Sequence, residues 1–172
     1  MAAAVFYGVS TFEGSFLAIR PVNSLSHYTD WTVGHVHAGA LGWVALITFG
    51  ALYTLVPNLW KRRAMYSPAL VEVHFWLAIA GTLIYVFAMW NSGIIQGLMW
   101  RTYTEDGALA YSFVDSLVEM YPYYIARALG GLLFLIGAVI GCYNMWKTVR
   151  SSEVGDVRER DVPVQPAPAA GA

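Results

Sequence analysis

Four long apolar runs dominate this sequence, at about residues 2–19, 33–56, 69–100 and 118–146. A helix needs about 20 mostly apolar residues to cross the hydrocarbon core of a bilayer. The last three runs meet that length, and the first, with Glu13 near its end, nearly does. All are too long and too continuously apolar for barrel strands, and lipid cannot satisfy an open backbone, so helices are the way across. Charge agrees. Only 12% of residues are charged, about half the usual share of a soluble domain. Eight of the 21 charged side chains fall in the last 26 residues, so the runs themselves are nearly bare. This excludes a solvated globule. A net charge of −1 gives no basic field for nucleic acid, and the single Cys142 excludes a disulfide framework or a multi-cysteine metal cluster within the chain. The expected fold is an all-α integral membrane bundle of four transmembrane helices.

Orientation follows from the basic residues. Lys61, Arg62 and Arg63 separate the second and third runs, and Lys147, Arg150, Arg158 and Arg160 follow the fourth. The other two connections hold Arg20 and Arg101 beside Asp30, Glu105, Asp106 and Asp115. The positive-inside bias therefore puts the Lys61–Arg63 loop, the amino terminus and the tail in the cytoplasm. Residues 148–172, rich in charge, Pro and Ala, read as a disordered cytoplasmic tail, which leaves 1–147 as the membrane region.

The second run opens on His35-Val-His37. Ionisable groups inside a membrane mark a functional site by default. Two residues along a helix is about 200° of rotation, so the two imidazoles point to nearly opposite sides and do not easily share one metal. That spacing suits two separate centres, one on each side of the helix. Haem iron takes axial imidazole. Gly34, Ala38 and Gly42, with Gly39 beside them, form a small-residue face. Such a face accommodates either a flat macrocycle or the close approach of another helix.

The string from Phe6-Tyr-Gly-Val-Ser-Thr-Phe-Glu13-Gly through Asn23-Ser-Leu-Ser-His27-Tyr-Thr-Asp-Trp-Thr-Val-Gly-His35-Val-His37-Ala-Gly-Ala-Leu-Gly-Trp resembles the catalytic subunit of cbb3-type cytochrome c oxidases, the C-family of haem–copper oxygen reductases. The likeness is dense over 6–60 and looser through Val73-His74-Phe-Trp and the Tyr-Pro-Tyr-Tyr stretch from Tyr121. The four runs resemble the last four of that family's twelve helices. By this resemblance His35 is the proximal ligand of the high-spin haem and His37 an axial ligand of the low-spin haem b. Glu13 matches a glutamate near the high-spin haem that is linked with proton transfer. Asn23 and His27 match groups that hydrogen-bond haem propionates. The family reduces oxygen to water with proton translocation. Its electrons come from cytochrome c through c-type cytochrome subunits, in the bacterial inner membrane.

The resemblance also implies what lies elsewhere. The copper ligands, the second low-spin ligand and the cross-linked Tyr belong to earlier helices, and the four histidines here match none of them. The chain is therefore expected to be a C-terminal piece, either a fragment or a split subunit. It would need the first eight helices as partner, with membrane lipid around it, and would be inactive alone. Glu72 and His74 read as an interface pair near a route of proton uptake, not as a metal site. Asn91 and Gln96 read as interhelical hydrogen bonders, and Arg127 needs a partner within its span. The alternatives are a nitric oxide reductase of the same superfamily, which would hold non-haem iron in place of copper, and a non-catalytic haem-b or packing module. A self-contained bis-His carrier would need a ligand opposite His37, and His74 sits at the wrong depth for it.

Overall fold

A computed structural model describes residues 1–151. The described residues are helical throughout, apart from connections and one isolated bridge between Tyr103 and Leu109. The helices are α1 (Ala2–Leu17), α2 (Arg20–Ser26), α3 (Asp30–His37), α4 (Leu46–Leu59), α5 (Pro68–Met99) and α6 (Phe113–Arg150). A π-helical segment, Ala38–Ala45, joins α3 to α4 without a break. Three helical stretches are long and apolar enough to cross a membrane: Asp30–Leu59, Pro68–Met99 and Phe113–Arg150. A fourth qualifies if α1 and α2 count as one span, but the chain bends by 102° between them.

Burial in this bundle is inverted relative to a soluble protein. The fully enclosed positions include Ala38, Ala78, Thr82, Ser92, Asn144 and Thr148, whereas Ile47, Leu55, Trp76, Phe87, Leu132 and Val139 lie exposed. Without a hydrophobic drive between helices in lipid, close packing of small residues and interhelical hydrogen bonds must hold them together. The α5–α6 seam does this. A Cβ on Gly81 would stand 2.6 Å from the Gly130 carbonyl, and one on Gly130 would stand 2.7 Å from the Gly81 carbonyl. Farther along, Asn144 uses both ends of its amide on one residue: Oδ1 accepts from Ser67 N–H at 3.0 Å and Nδ2 donates to Ser67 O at 2.8 Å. The Thr148 hydroxyl accepts from Tyr66 N–H, and Arg62 donates to the Val149 carbonyl. The 60–67 connection is thereby pinned to the end of α6.

Local signals set the helix ends. Ser67 caps α5, with Pro68 at the first helical position, where a missing N–H costs nothing. Ser112 and Asp115 form a reciprocal capping box at the start of α6. Helix α6 accordingly begins at Phe113, five residues before the apolar run, and passes through Pro122 without a break. Thr29 caps α3 by accepting from Trp31 N–H. In the 100–112 connection Gly107 takes φ of 80°, a turn conformation that glycine supplies without strain. Helix α6 runs to Arg150, into the segment read as tail, and that segment from residue 152 lies outside the described residues.

Candidate functional site

Helix α1 lies against the α3–π segment. It brings the Glu13 carboxylate, on a side chain only 9% exposed, to the first turns of α3. One carboxylate oxygen accepts from the Trp31 indole N–H at 2.8 Å; the other lies 3.2 Å from His35 Nδ1. A carboxylate only accepts, so Nδ1 is the donor of this pair, and in the neutral ring that leaves the lone pair on Nε2. That nitrogen has no hydrogen-bond partner among the described residues. The neighbour of Glu13 is Gly14, where a Cβ would stand 3.4 Å from His35 Cε1 and 3.7 Å from Nε2. Its missing side chain keeps that edge of the imidazole open.

His37 reaches the same state by another device. Its Nδ1 lies 2.8 Å from the Val33 carbonyl one turn back, and a carbonyl also only accepts. The ring stacks on Tyr85 of α5, with centroids 4.4 Å apart and planes 23° from parallel. His35 therefore turns to α1 and His37 to α5. Both rings are half-buried, and both keep Nε2 free among the described residues. Two imidazoles, each fixed through Nδ1 with Nε2 left free, are what axial ligation of haem iron asks of a protein.

The small-residue face is occupied by helices. A Cβ on Gly34 would stand 2.7 Å from Trp90 Cδ1 of α5, and one on Gly42 would overlap the Phe6 side chain of α1. Between them Ala38 is fully enclosed. Helix packing accounts for this stripe.

The structure does not bring Asn23 and His27 into contact with either imidazole. Both are exposed, Asn23 on α2 and His27 just past its end, where its ring stacks on Tyr28. Asp30 is used structurally: its N–H donates to Gln96 Oε1 at 2.8 Å and its carboxylate accepts from Ser92 at 2.7 Å, both on α5. Gln96 is thus an interhelical bonder, whereas Asn91 donates to the Phe87 carbonyl of its own helix. Arg127 lies over the Tyr124 ring at 4.7 Å and reaches Met89 Sδ at 3.9 Å. His74 is enclosed and bonded to Tyr53, while Glu72 is exposed. No group of three or more His, Cys, Asp or Glu converges on one point among the described residues. Sequence reasoning missed three participants: Trp31, Gly14 and Tyr85. Nothing about the residue type of any of the three points to the imidazoles.

Bundle and imidazoles together define a helical membrane protein with two candidate axial-ligand positions on one helix. The chain belongs to the family described as cytochrome c and quinol oxidase polypeptide I, whose profile matches residues 1–133. It is 60% identical over 151 residues to a bacteroid cytochrome c oxidase subunit 1 homolog of Bradyrhizobium diazoefficiens, covering 88% of this chain and 28% of that protein. It is 55% identical over 148 residues to the cbb3-type cytochrome c oxidase subunit CcoN1 of Stutzerimonas stutzeri, covering 86% and 31%. A nitric oxide reductase subunit of Stutzerimonas stutzeri is more distant, at 26% over 156 residues, covering 83% and 32%. The chain thus spans about three tenths of the length of the oxidase relatives it matches. Membership implies haem and copper, and a larger oxidase assembly around the chain.

Proposed function

We propose that this chain is the C-terminal part of the haem-bearing catalytic subunit of a cbb3-type cytochrome c oxidase, in which His35 ligates the high-spin haem and His37 the low-spin haem b. The observation that carries the reading is the shared state of the two imidazoles. Each is tied through Nδ1, by Glu13 or by the Val33 carbonyl, and each leaves Nε2 free toward a different side of α3. Haem supplies the electron transfer and oxygen chemistry; this chain's residues orient the ligands. Glu13 holds the His35 ring and sits where a carboxyl could pass a proton. Asn23 and His27, exposed at the α3 end of the bundle, are available to haem propionates.

In this reading copper is held by residues outside this chain, in the first eight helices of the subunit. The c-type cytochrome subunits deliver electrons from cytochrome c, oxygen goes to water, and protons cross the bacterial inner membrane. The Lys61–Arg63 loop, the amino terminus of this chain and the tail face the cytoplasm. The test uses the full oxidase carrying His35→Ala or His37→Ala. The first variant should lose the carbon-monoxide-reactive high-spin spectrum and keep the low-spin band, and the second should do the reverse. Unchanged spectra in both variants overturn the assignment. Non-haem iron in place of copper in the purified complex would move it to the nitric oxide reductases.

A further inference from the structure

One end of the bundle gathers five cations, where the connection from α4 to α5 meets the end of α6. The Thr148 hydroxyl accepts from Tyr66 N–H at 2.9 Å, and Arg62 Nη2 donates to the Val149 carbonyl at 3.0 Å. The run Lys61–Arg63 is thereby held against the last turns of α6, which carry Lys147 and Arg150. None of the five forms an ion pair among the described residues. Arg62 uses one of its five N–H donors on that carbonyl, and its Nε is buried without a partner. Cations held together repel one another, so this arrangement is stabilised by an anion.

Aromatic rings set its depth. Lys147 Nζ lies 5.6 Å from the Tyr66 ring centroid, 6.0 Å from that of Tyr143 and 5.7 Å from that of Trp146. The Arg150 guanidinium lies 5.2 Å from the Trp146 ring. Tyr and Trp concentrate where hydrocarbon meets headgroups, so the cations stand at headgroup level. On the hydrocarbon side α6 exposes Leu132, Leu135, Val139, Tyr143 and Trp146. Steps of three and four residues keep these side chains in one lane along the helix, and Arg150, four residues past Trp146, stands at its end.

We propose that this end of the chain binds an anionic phospholipid, its phosphodiester among Lys61–Arg63, Lys147 and Arg150 and its acyl chains along the α6 lane. A phosphate oxygen accepts from guanidinium and ammonium alike, and its charge neutralises the cluster. A free anion would answer the charges and leave the apolar lane without a role, whereas a phospholipid matches both. A zwitterionic lipid brings its own cation and gains less. The inference shares with the oxidase reading only the membrane orientation, which puts this site in the cytoplasmic leaflet, and it does not depend on the haem ligands.

The test is native mass spectrometry of the delipidated full oxidase in a neutral detergent, titrated with phosphatidylglycerol or phosphatidylcholine. Each basic residue at a membrane surface contributes about fivefold to affinity for anionic lipid. Lys147→Gln and Arg150→Gln should therefore each weaken the tightest phosphatidylglycerol site about fivefold, and the double variant about 25-fold. Phosphatidylcholine binding should stay as in the parent. So should phosphatidylglycerol binding in Arg20→Gln, which removes one exposed cation from the opposite end. Equal phosphatidylglycerol binding in the parent and the double variant overturns the proposal. A parallel loss of both lipids also overturns it, since that is what altered packing predicts. Displacement of the lipid by inorganic phosphate overturns it too, because a simple anion site behaves that way. Haem content of the same samples reads the oxidase assignment separately: a parent without haem defeats that assignment and leaves the lipid result standing.

Discussion

Glu13→Gln tests the ligand geometry by reversing one polarity. In the parent, two donors converge on one carboxylate: the Trp31 indole N–H at 2.8 Å and His35 Nδ1 at 3.2 Å. A carboxamide offers only one acceptor oxygen. If that oxygen faces His35, the amide NH2 faces the Trp31 N–H, and two buried donors collide at a cost of about 1–3 kcal/mol. If it faces Trp31, the NH2 faces Nδ1 and forces the ring proton onto Nε2, the nitrogen that binds iron in the proposed reading. Either outcome weakens the site. Loss of a partner that orients a ligand typically costs about 10–100-fold in metal affinity, or about 1.4–2.8 kcal/mol, the same range as the donor conflict. The assay is haem retention by the full oxidase during dilution, read separately in the high-spin and low-spin bands. The high-spin haem should be lost selectively, because His37 is held by a backbone carbonyl that the substitution does not touch. Glu13→Ala separates polarity from packing. It should lower thermal stability more than Glu13→Gln, yet release high-spin haem less, since nothing then forces the ring proton onto Nε2. Full retention in Glu13→Gln, or equal loss of both haems, would refute the reasoning.

Three further substitutions probe what surrounds the imidazoles. Tyr85→Ala removes the ring stacked on His37, a contact worth about 0.5–1.5 kcal/mol, and should shift the low-spin band and its midpoint potential while Tyr85→Phe leaves both in place. Gly93→Ala puts a methyl into the Trp31 backbone and should cost the full-length protein about 1–3 kcal/mol of stability in a detergent melt, whereas Gly8→Ala, with open space around it, should cost almost nothing. Asn144→Leu strands the Ser67 N–H and leaves its carbonyl only the longer bond from Val71 N–H, so the melting temperature should drop more than for an exposed Asn91→Leu control.

The sequence discloses this bundle unevenly, for physical reasons. A run of apolar residues is a local property, so the long helices are legible from the chain alone. Helix α2 is not: its seven residues fall in a polar connection, and its place depends on the backbone contact that Gly97 permits with Leu25. The π-helical segment has no sequence signature, since Ala38–Ala45 would read as ordinary α-helix. Opposed directions for His35 and His37 follow from two steps of helical rotation, and they are legible for that reason. What fixes each ring is not. Glu13 lies 22 residues before His35, and Tyr85 is one tyrosine in a long apolar run. The stripe from Gly34 to Gly42 is equally compatible with a cofactor or a helix in sequence, and only the positions of Trp90 and Phe6 decide it.

The start of α3 gathers most of the polar contacts around these ligands, and the concentration has a physical rationale. Asp30 is bonded to Gln96 and Ser92, Thr29 caps the first turn, and Gly93 lets α5 close on the backbone there. From the other side Glu13 holds both Trp31 and His35. The helix turn that carries the imidazoles is therefore clamped between two neighbours before its irregular winding begins at Ala38. Ligand rings must stay within about 0.5 Å of their working positions, and a single helix in lipid does not provide that by itself. Buried polar groups are costly in a membrane unless every one is paired, and under the proposed ligation their concentration here serves to fix His35 and His37. A substitution that loosens the clamp without touching either imidazole, such as Ser92→Ala, should broaden both haem bands together, whereas Glu13→Gln should affect only one. Broadening confined to a single haem in Ser92→Ala would mean that the two ligands are held independently.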